Sequence, residues 1–276
     1  MSISAADVKA LRDRTGAGMM DCKKALAEAN GDMDAAIEIL RKKGQKVSEK
    51  RADREANQGI IVTHISDDGT KAVALALNCE TDFVARNDEF IQSATDFANV
   101  AYDNEISDIE TLKKAELQGR TVEEHLKELV GKIGEKIEIS RLELVKTEGT
   151  IVSYMHPGNQ LAVLVDFSNS IDDNVGKDVA MQIAAMNPIA VRQEEVPTDV
   201  VDKEIEIAKE QLINEGKPVE IAEKAAKGKL RRFYEERVLL DQKFVKDSSV
   251  SVRDYLKNNN AADVKSFYRL QLGESN

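Results

Sequence analysis

Tryptophan is absent from these 276 residues, and tyrosine and phenylalanine together reach only 4%. Each aromatic the chain keeps is therefore expected to be placed with purpose, and few remain to stack on nucleic-acid bases. There are two cysteines, Cys22 and Cys79, far apart and without paired spacing, which excludes a disulfide framework or a zinc-finger pattern and fits a reducing cytoplasm. The three histidines, His64, His125 and His156, fall in a strand, a helix and a turn. None has a cysteine or carboxylate at ligand or triad spacing, so no metal site and no nucleophilic active site is readable. Basic residues are outnumbered 39 to 50, a net charge of -11 that opposes general attraction to nucleic acid or anionic lipid. No apolar run approaches the ~18 residues of a membrane span, and the N-terminus opens on acid-containing helix signals rather than a basic leader. The expectation is a cytoplasmic chain with no membrane segment, no cofactor and no covalent chemistry of its own.

What is present suits two or three compact units at about 100 to 150 residues each. Ser4 and Asp7 form a capping box ahead of Val8 and Leu11, and a tight turn through Gly16, Ala17 and Gly18 leads into a second helix. Asn30 and Gly31 stop that helix, and a third is expected from Asp32 to a stop at Gly44. Residues 1–44 thus read as a three-helix unit with little core. Core packing is the simpler expectation for Met19 and Met20, although methionine also suits an adaptable contact surface. Gly16 and Gly18 lack the spacing and the following Lys-Ser/Thr of a phosphate loop, so direct nucleotide binding is discarded. Residues 45–57 read as a charged tether, extended or helical. With Arg41, Lys42, Lys43, Lys46, Lys50, Arg51 and Arg54 it forms a local basic patch, a solvated linker on the simpler reading.

From Gly59 the pattern turns to strands. GIIVTHISDDGTKAVALALN at 59–78 is a hairpin with one bulky face and one face of alanines, and GTIVSYMHPGNQLAVLVDF at 149–167 repeats it. Gly59 is matched to Gly149, Val62 to Val152 and, with one residue dropped in the turn, Leu75 to Leu164. A helix follows each hairpin, Thr121 and Glu124 form a further capping box, and closing strands are expected at 136–146 and 264–272. The phase change between Ile139 and Leu142 predicts a bulge near Ser140 and Arg141. The fold class is α+β: a duplicated hairpin-helix-strand core over 58–147 and 148–276. An antiparallel coiled-coil hairpin at 198–236 interrupts the second copy, and it either projects or docks flat. Phe83, at the end of the second strand, is read first as a core residue of the helix after it and second as an exposed wedge for a partner. Phe244 is either buried or a contact point, and His156 either a plain turn residue or a contact.

Two runs are specific enough to suggest a family. LRDRTGAGMMDCKKALAEANGD at 11–32 and NCETDFVARNDEF at 78–90 resemble the two signature motifs of elongation factor Ts, the guanine nucleotide exchange factor for elongation factor Tu. The resemblance spans nearly the whole chain and implies an N-terminal unit like a ubiquitin-associated domain. It also implies that Thr81, Asp82, Phe83 and Val84 meet the GTPase near its magnesium and phosphate region. Arg12, Met19, Met20, Lys23, Ile133 and Gly134 would be further contacts on the G domain, with His156, Phe244 and Val245 reaching the partner elsewhere. Three departures stand out: Ala76 where the motif usually has an acid, Lys243 in place of a common proline, and no extra C-terminal helix after the last strand. The implied function is exchange of GDP for GTP on elongation factor Tu, and a homodimer or a 2:2 complex is the assembly to consider. The rivals are a non-exchanging scaffold or chaperone-like binder of the same GTPase, and an RNA-binding protein using residues 41–54.

Overall fold

The computed structural model describes residues 3–274. The Ser4 hydroxyl accepts from the Asp7 amide while the Asp7 carboxylate accepts from the Ser4 amide, and this reciprocal box opens α1 (Ala5–Thr15). Gly16, left-handed at φ +66°, closes it by donating to the Arg12 carbonyl. α2 (Met19–Glu28) ends before the left-handed pair Asn30 and Gly31. α3 (Met33–Arg51) starts on Asp32, but it does not stop at Gly44 as expected. Gly44 is the point where another helix crosses: a Cβ there would meet the Lys127 carbonyl oxygen at 3.0 Å and the Gly131 Cα at 3.4 Å. Of the two readings of the tether the helical one holds for residues 45–51, and Val47 on it packs against the first core.

The first sheet is β1 (Gln58–Ile65), β2 (Lys71–Cys79) and, further on, β5 (Ile137–Lys146), in the order β1-β2-β5 and antiparallel throughout. Between β2 and β5 run α4 (Asp82–Ala85), α5 (Asp88–Asp103), α6 (Ile109–Lys114), the short ribbon β3 (Glu116–Leu117) with β4 (Arg120–Thr121), and α7 (Val122–Ile133). α7 is opened by the expected capping box of Thr121 and Glu124. Pairing passes from Ala76↔Arg141 to Leu77↔Ile139, so Ser140 is the extra residue of a bulge, where the phase change had placed it. Its hydroxyl donates to the Asn78 carboxamide at 2.6 Å.

The second sheet repeats the order with β6 (Thr150–Met155), β7 (Leu161–Phe167) and β10 (Val264–Gln271), and α8 (Asp173–Met186) lies over it. Val62 faces Leu75 and Val152 faces Val165, so the partner of Leu75 in the duplication is Val165, and no residue is dropped in the turn. The expected match to Leu164 is one residue out of register, and such a slip turns a side chain to the other face. Leu164 indeed points the other way. With Ile61, Ala72, Ala74, Ala76, Val145, Ile151, Ala162 and Leu270 it fills the layer where the two sheets lie back to back. The hairpins also cross-bond with near symmetry, Ile61 N–H to the Asn159 carbonyl at 2.7 Å and Ile151 N–H to the Gly69 carbonyl at 2.8 Å. The alanine face is small because another sheet covers it, and the bulky face carries α5 in the first copy.

α9 (Thr198–Asn214) and α10 (Val219–Arg237) form the inserted antiparallel pair. Ala208, Leu212, Ala222 and Ala226 make its own small seam, while Phe233, Tyr234, Val200 and Val201 pack at its base. Val219 and Ile221 at the far end are exposed. The chain returns through β8 (Lys243–Phe244), β9 (Asp247–Ser251) and α11 (Val252–Asn258) to β10.

Candidate protein interface

β2 and β5 stop pairing at Cys79↔Ile137, and side chains take over from the ladder. The Glu135 carboxylate accepts the Glu80 amide at 3.1 Å, the Thr81 amide at 3.0 Å and the Thr81 hydroxyl at 2.7 Å. In return the Glu80 carboxylate accepts the Lys136 amide at 2.6 Å, and it also takes Arg51 at 2.6 Å and Arg54 at 3.0 Å. Two crossing carboxylates thus clasp residues 80–81 to residues 135–136, and the end of α3 is tied to the same point. Burial alone would push Glu80 up, but the Lys136 amide and the Arg51 and Arg54 guanidinium groups outweigh it and hold the carboxyl at about 2. The Cys79 thiol beneath donates to the Thr81 carbonyl, and burial, with Glu135 alongside, pushes it up to about 12.

The single turn of α4 stands on this clasp. Val84 and Ala85 pack onto the first core, and with two consecutive positions of one helical turn facing inward, position 83 faces out. Phe83 is 83% exposed, so the expectation of a core residue is overturned and the exposed reading stands. Asn87 then caps a separate helix, α5, whose buried face begins at Phe90. Thr81, Asp82 and Val84 are half-buried around it.

Met19 and Met20 are also outside, 59% and 65% exposed, contrary to the simpler core reading. The core of the three helices is made at this end by Leu11, Ala17 and Cys22, without either methionine. Arg12 and Lys23 are exposed on the same two helices. Lys132 brings this turn to the Phe83 region. A Cβ placed on Gly16 would lie 2.8 Å from Lys132 Cε, and Lys132 Nζ is 2.7 Å from Glu89, in the first turn of α5. Ile133 and Gly134, half-buried, follow it directly, with Gly134 left-handed at φ +78°. Three stretches far apart in sequence therefore meet at Gly16, Glu89 and Lys132, with residues 81–84 a few residues ahead of Glu89.

His156 and residues 244–245 lie in the second repeat, apart from that group. His156 is exposed at the β6–β7 turn with its Nδ1 2.9 Å from the Tyr154 hydroxyl. Phe244 is 3% exposed and stacked on Tyr255 at 4.1 Å, so of its two readings the buried one holds, and the expectation of a direct contact through its side chain is corrected. Val245 beside it is exposed, and its amide donates to buried Gln182 at 2.8 Å.

The basic patch is largely paired: Lys42 with Glu38, Lys43 with Asp21, Arg51 and Arg54 with Glu80. A crevice of about 300 Å³ between the N-terminal helices and α7 is likewise lined by matched charges, including Arg120 with Glu128. It reads as a docking seam. Among the described residues no group of three or more His, Cys, Asp or Glu side chains could hold a metal ion, and no helix is long and apolar enough to cross a membrane. Glu135, Lys132 and Gln182 went unnoticed in the sequence reading. The partners of Glu135 and Gln182, and the Glu89 partner of Lys132, lie tens of residues away, where no periodicity marks them.

A family model described as Elongation factor TS matches residues 80–274. The chain is 50% identical over 274 residues to elongation factor Ts of Christiangramia forsetii, covering 98% of this chain and 99% of the relative. It is 48% identical over 284 residues to elongation factor Ts of Prosthecochloris aestuarii, covering 98% and 99%. Against elongation factor Ts of Amoebophilus asiaticus it is 47% identical over 277 residues, covering 99% and 100%.

Proposed function

The chain belongs to the elongation factor Ts family, and from that premise we propose that it is a guanine nucleotide exchange factor. It binds elongation factor Tu in the cytoplasm and speeds release of GDP so that GTP can enter. The observation that carries this reading is Phe83, a large apolar side chain almost wholly in solvent on a turn fastened from below. A rigid exposed aromatic gains its burial energy only when a partner supplies a pocket. Pushed between side chains that help hold the GTPase's Mg²⁺ and β-phosphate, it would lower the partner's affinity for GDP by disturbing the cation's shell. Met19, Met20, Lys23 and Arg12 on the first two helices, with Ile133 and Gly134, supply affinity on the G domain beside it. His156 and Val245 contact the partner from the second repeat.

The mechanism is one of linkage. If the chain binds the nucleotide-free GTPase better than the GDP-bound form, GDP and the chain weaken each other by the same factor. No bond is made or broken, so the protein is a binding catalyst and not an enzyme of covalent chemistry. The three N-terminal helices act as a ubiquitin-associated-like binding unit and the duplicated sheets as the frame that aims the wedge.

Release of a fluorescent GDP from elongation factor Tu in excess GTP tests the reading. The native chain should accelerate release. Burying a Phe side chain supplies about 2 kcal/mol, so Phe83→Ala should lose roughly 30-fold in efficiency while staying folded. Binding of the GTPase with no acceleration would leave a scaffold in place of an exchange factor.

A further inference from the structure

We propose that Glu135 is a positioning residue for exchange, acting through the backbone beneath Phe83 and without touching the partner; this rests on the exchange reading above. Its carboxylate accepts from three donors on two consecutive residues, the amides of Glu80 and Thr81 and the Thr81 hydroxyl. Those residues are the last before α4, and α4 has only one turn, too short to hold its own direction. Thr81, the residue that caps α4, makes no side-chain capping bond to it. Its hydroxyl is committed to Glu135 instead, so the turn takes its orientation from the start of β5 and not from a helix cap. The Glu80 carboxylate closes the clasp from the other side through the Lys136 amide.

Loosening that anchor leaves Phe83 chemically intact and lets it sample directions that miss the partner's pocket. A wedge must then be ordered during exchange, and the ordering cost falls on the step in which it is inserted. The contacts of the first two helices do not pass through residue 135. The effect is therefore on the maximal rate of release, with little change in the concentration of chain needed for half of it.

The test is a cycle of Glu135→Ala and Phe83→Ala, alone and together, in the fluorescent-GDP assay. Amide hydrogen exchange at Glu80 and Thr81 is measured in the free chain. Glu135→Ala should cut the maximal rate about tenfold, keep the half-saturating concentration within about twofold, and add nothing once Phe83 is alanine, because residues acting as one unit are non-additive. Glu135→Gln, which retains an oxygen for the amides and an NH₂ for the hydroxyl, should restore most of the rate. Protection of the Thr81 amide should fall in the Ala variant and return in the Gln variant. An equal loss in the native and Phe83→Ala backgrounds, or unchanged protection at Thr81, would overturn the proposal. Should Glu135→Ala fail to fold, Thr81→Val removes one of the three donors. A severalfold loss of rate that vanishes in the Phe83→Ala background supports the role, and an equal loss in both backgrounds refutes it. A native chain that fails to accelerate release sinks the exchange reading instead, while the amide protections still decide whether Glu135 holds the turn.

Discussion

Replacing Gly131 with alanine should loosen the seam between the N-terminal helices and the core, although alanine is the better helix former. The new Cβ would sit 2.8 Å from the Gly44 Cα on α3. Carbon pairs settle at about 3.5–4.0 Å, so the two helices must part or tilt by roughly 0.7 Å or more. The obstacle is main chain and cannot rotate away as a flexible side chain would. Intrinsic propensity returns about 1 kcal/mol, while overpacking of this kind costs about 1–3 kcal/mol, so the crossing should lose up to about 2 kcal/mol. Gly44→Ala is the milder change, its Cβ meeting the Lys127 carbonyl oxygen at 3.0 Å and the Gly131 Cα at 3.4 Å. Amide exchange in the second half of α3, residues 45–51, should quicken about tenfold in Gly131→Ala and less in Gly44→Ala, with β2 unchanged, because the opening is local. Slower exchange in Gly131→Ala, or an effect no larger than that of Gly44→Ala, would refute the idea that backbone contact decides this seam.

Phe244→Ala should cost about 3–5 kcal/mol in denaturant unfolding, as a buried, stacked ring does, whereas Val245→Ala next to it should stay within about 0.5 kcal/mol. The double change Met19→Ala with Met20→Ala should leave stability nearly unaltered and raise the chain concentration needed for half-maximal exchange severalfold, since both side chains lie outside. Glu80, held at about 2 against an ordinary 4.5, supplies stability that is complete above pH 4.5 and is lost as the pH falls from there towards 2. The native chain should therefore lose protection of the Lys136 amide across that window, and Glu80→Gln should show it already weakened at neutral pH. Cys22 and Cys79 are both buried free thiols, and Cys79 is pushed up to about 12, so an aromatic disulfide reagent at pH 8 should react with neither until the chain is unfolded.

Where a signal was local and of one period, the sequence carried it. The capping boxes at Ser4 and Thr121 and the bulge at Ser140 stand where their letters put them. The duplication was legible too, but its register was not. β7 reads Leu-Ala-Val-Leu-Val-Asp-Phe, buried on both faces between α8 and the other sheet, so no alternation says which residues point which way. Gly44 misled for a related reason. Glycine ends helices and also lets them cross closely, and only the opposite helix distinguishes the two uses. Phe83 would have been assigned to the core on residue type alone; its place at the end of a strand supplied the exposed alternative, and the family motif favoured it. The clasp beneath it depends on carboxylates 55 and 56 residues from their partners, which no spacing rule reaches.

The two sheets share one strand order but are not completed at the same time. β2 gains both neighbours as soon as residue 146 is made, whereas the outer edge of β7 waits for Val264–Gln271, after the helical pair and α11. At about 5–20 residues per second the delay on a ribosome is on the order of 10 s. Through that interval the half bearing Phe83 has its full sheet, while the other half offers an open strand edge and the layer between the sheets lacks Leu270. A nascent chain thus has the turn that exposes Phe83 in place before its own last strand exists. Termination ahead of residue 264 would release a fragment with one complete sheet and one open strand edge, prone to pair edge to edge with its copies.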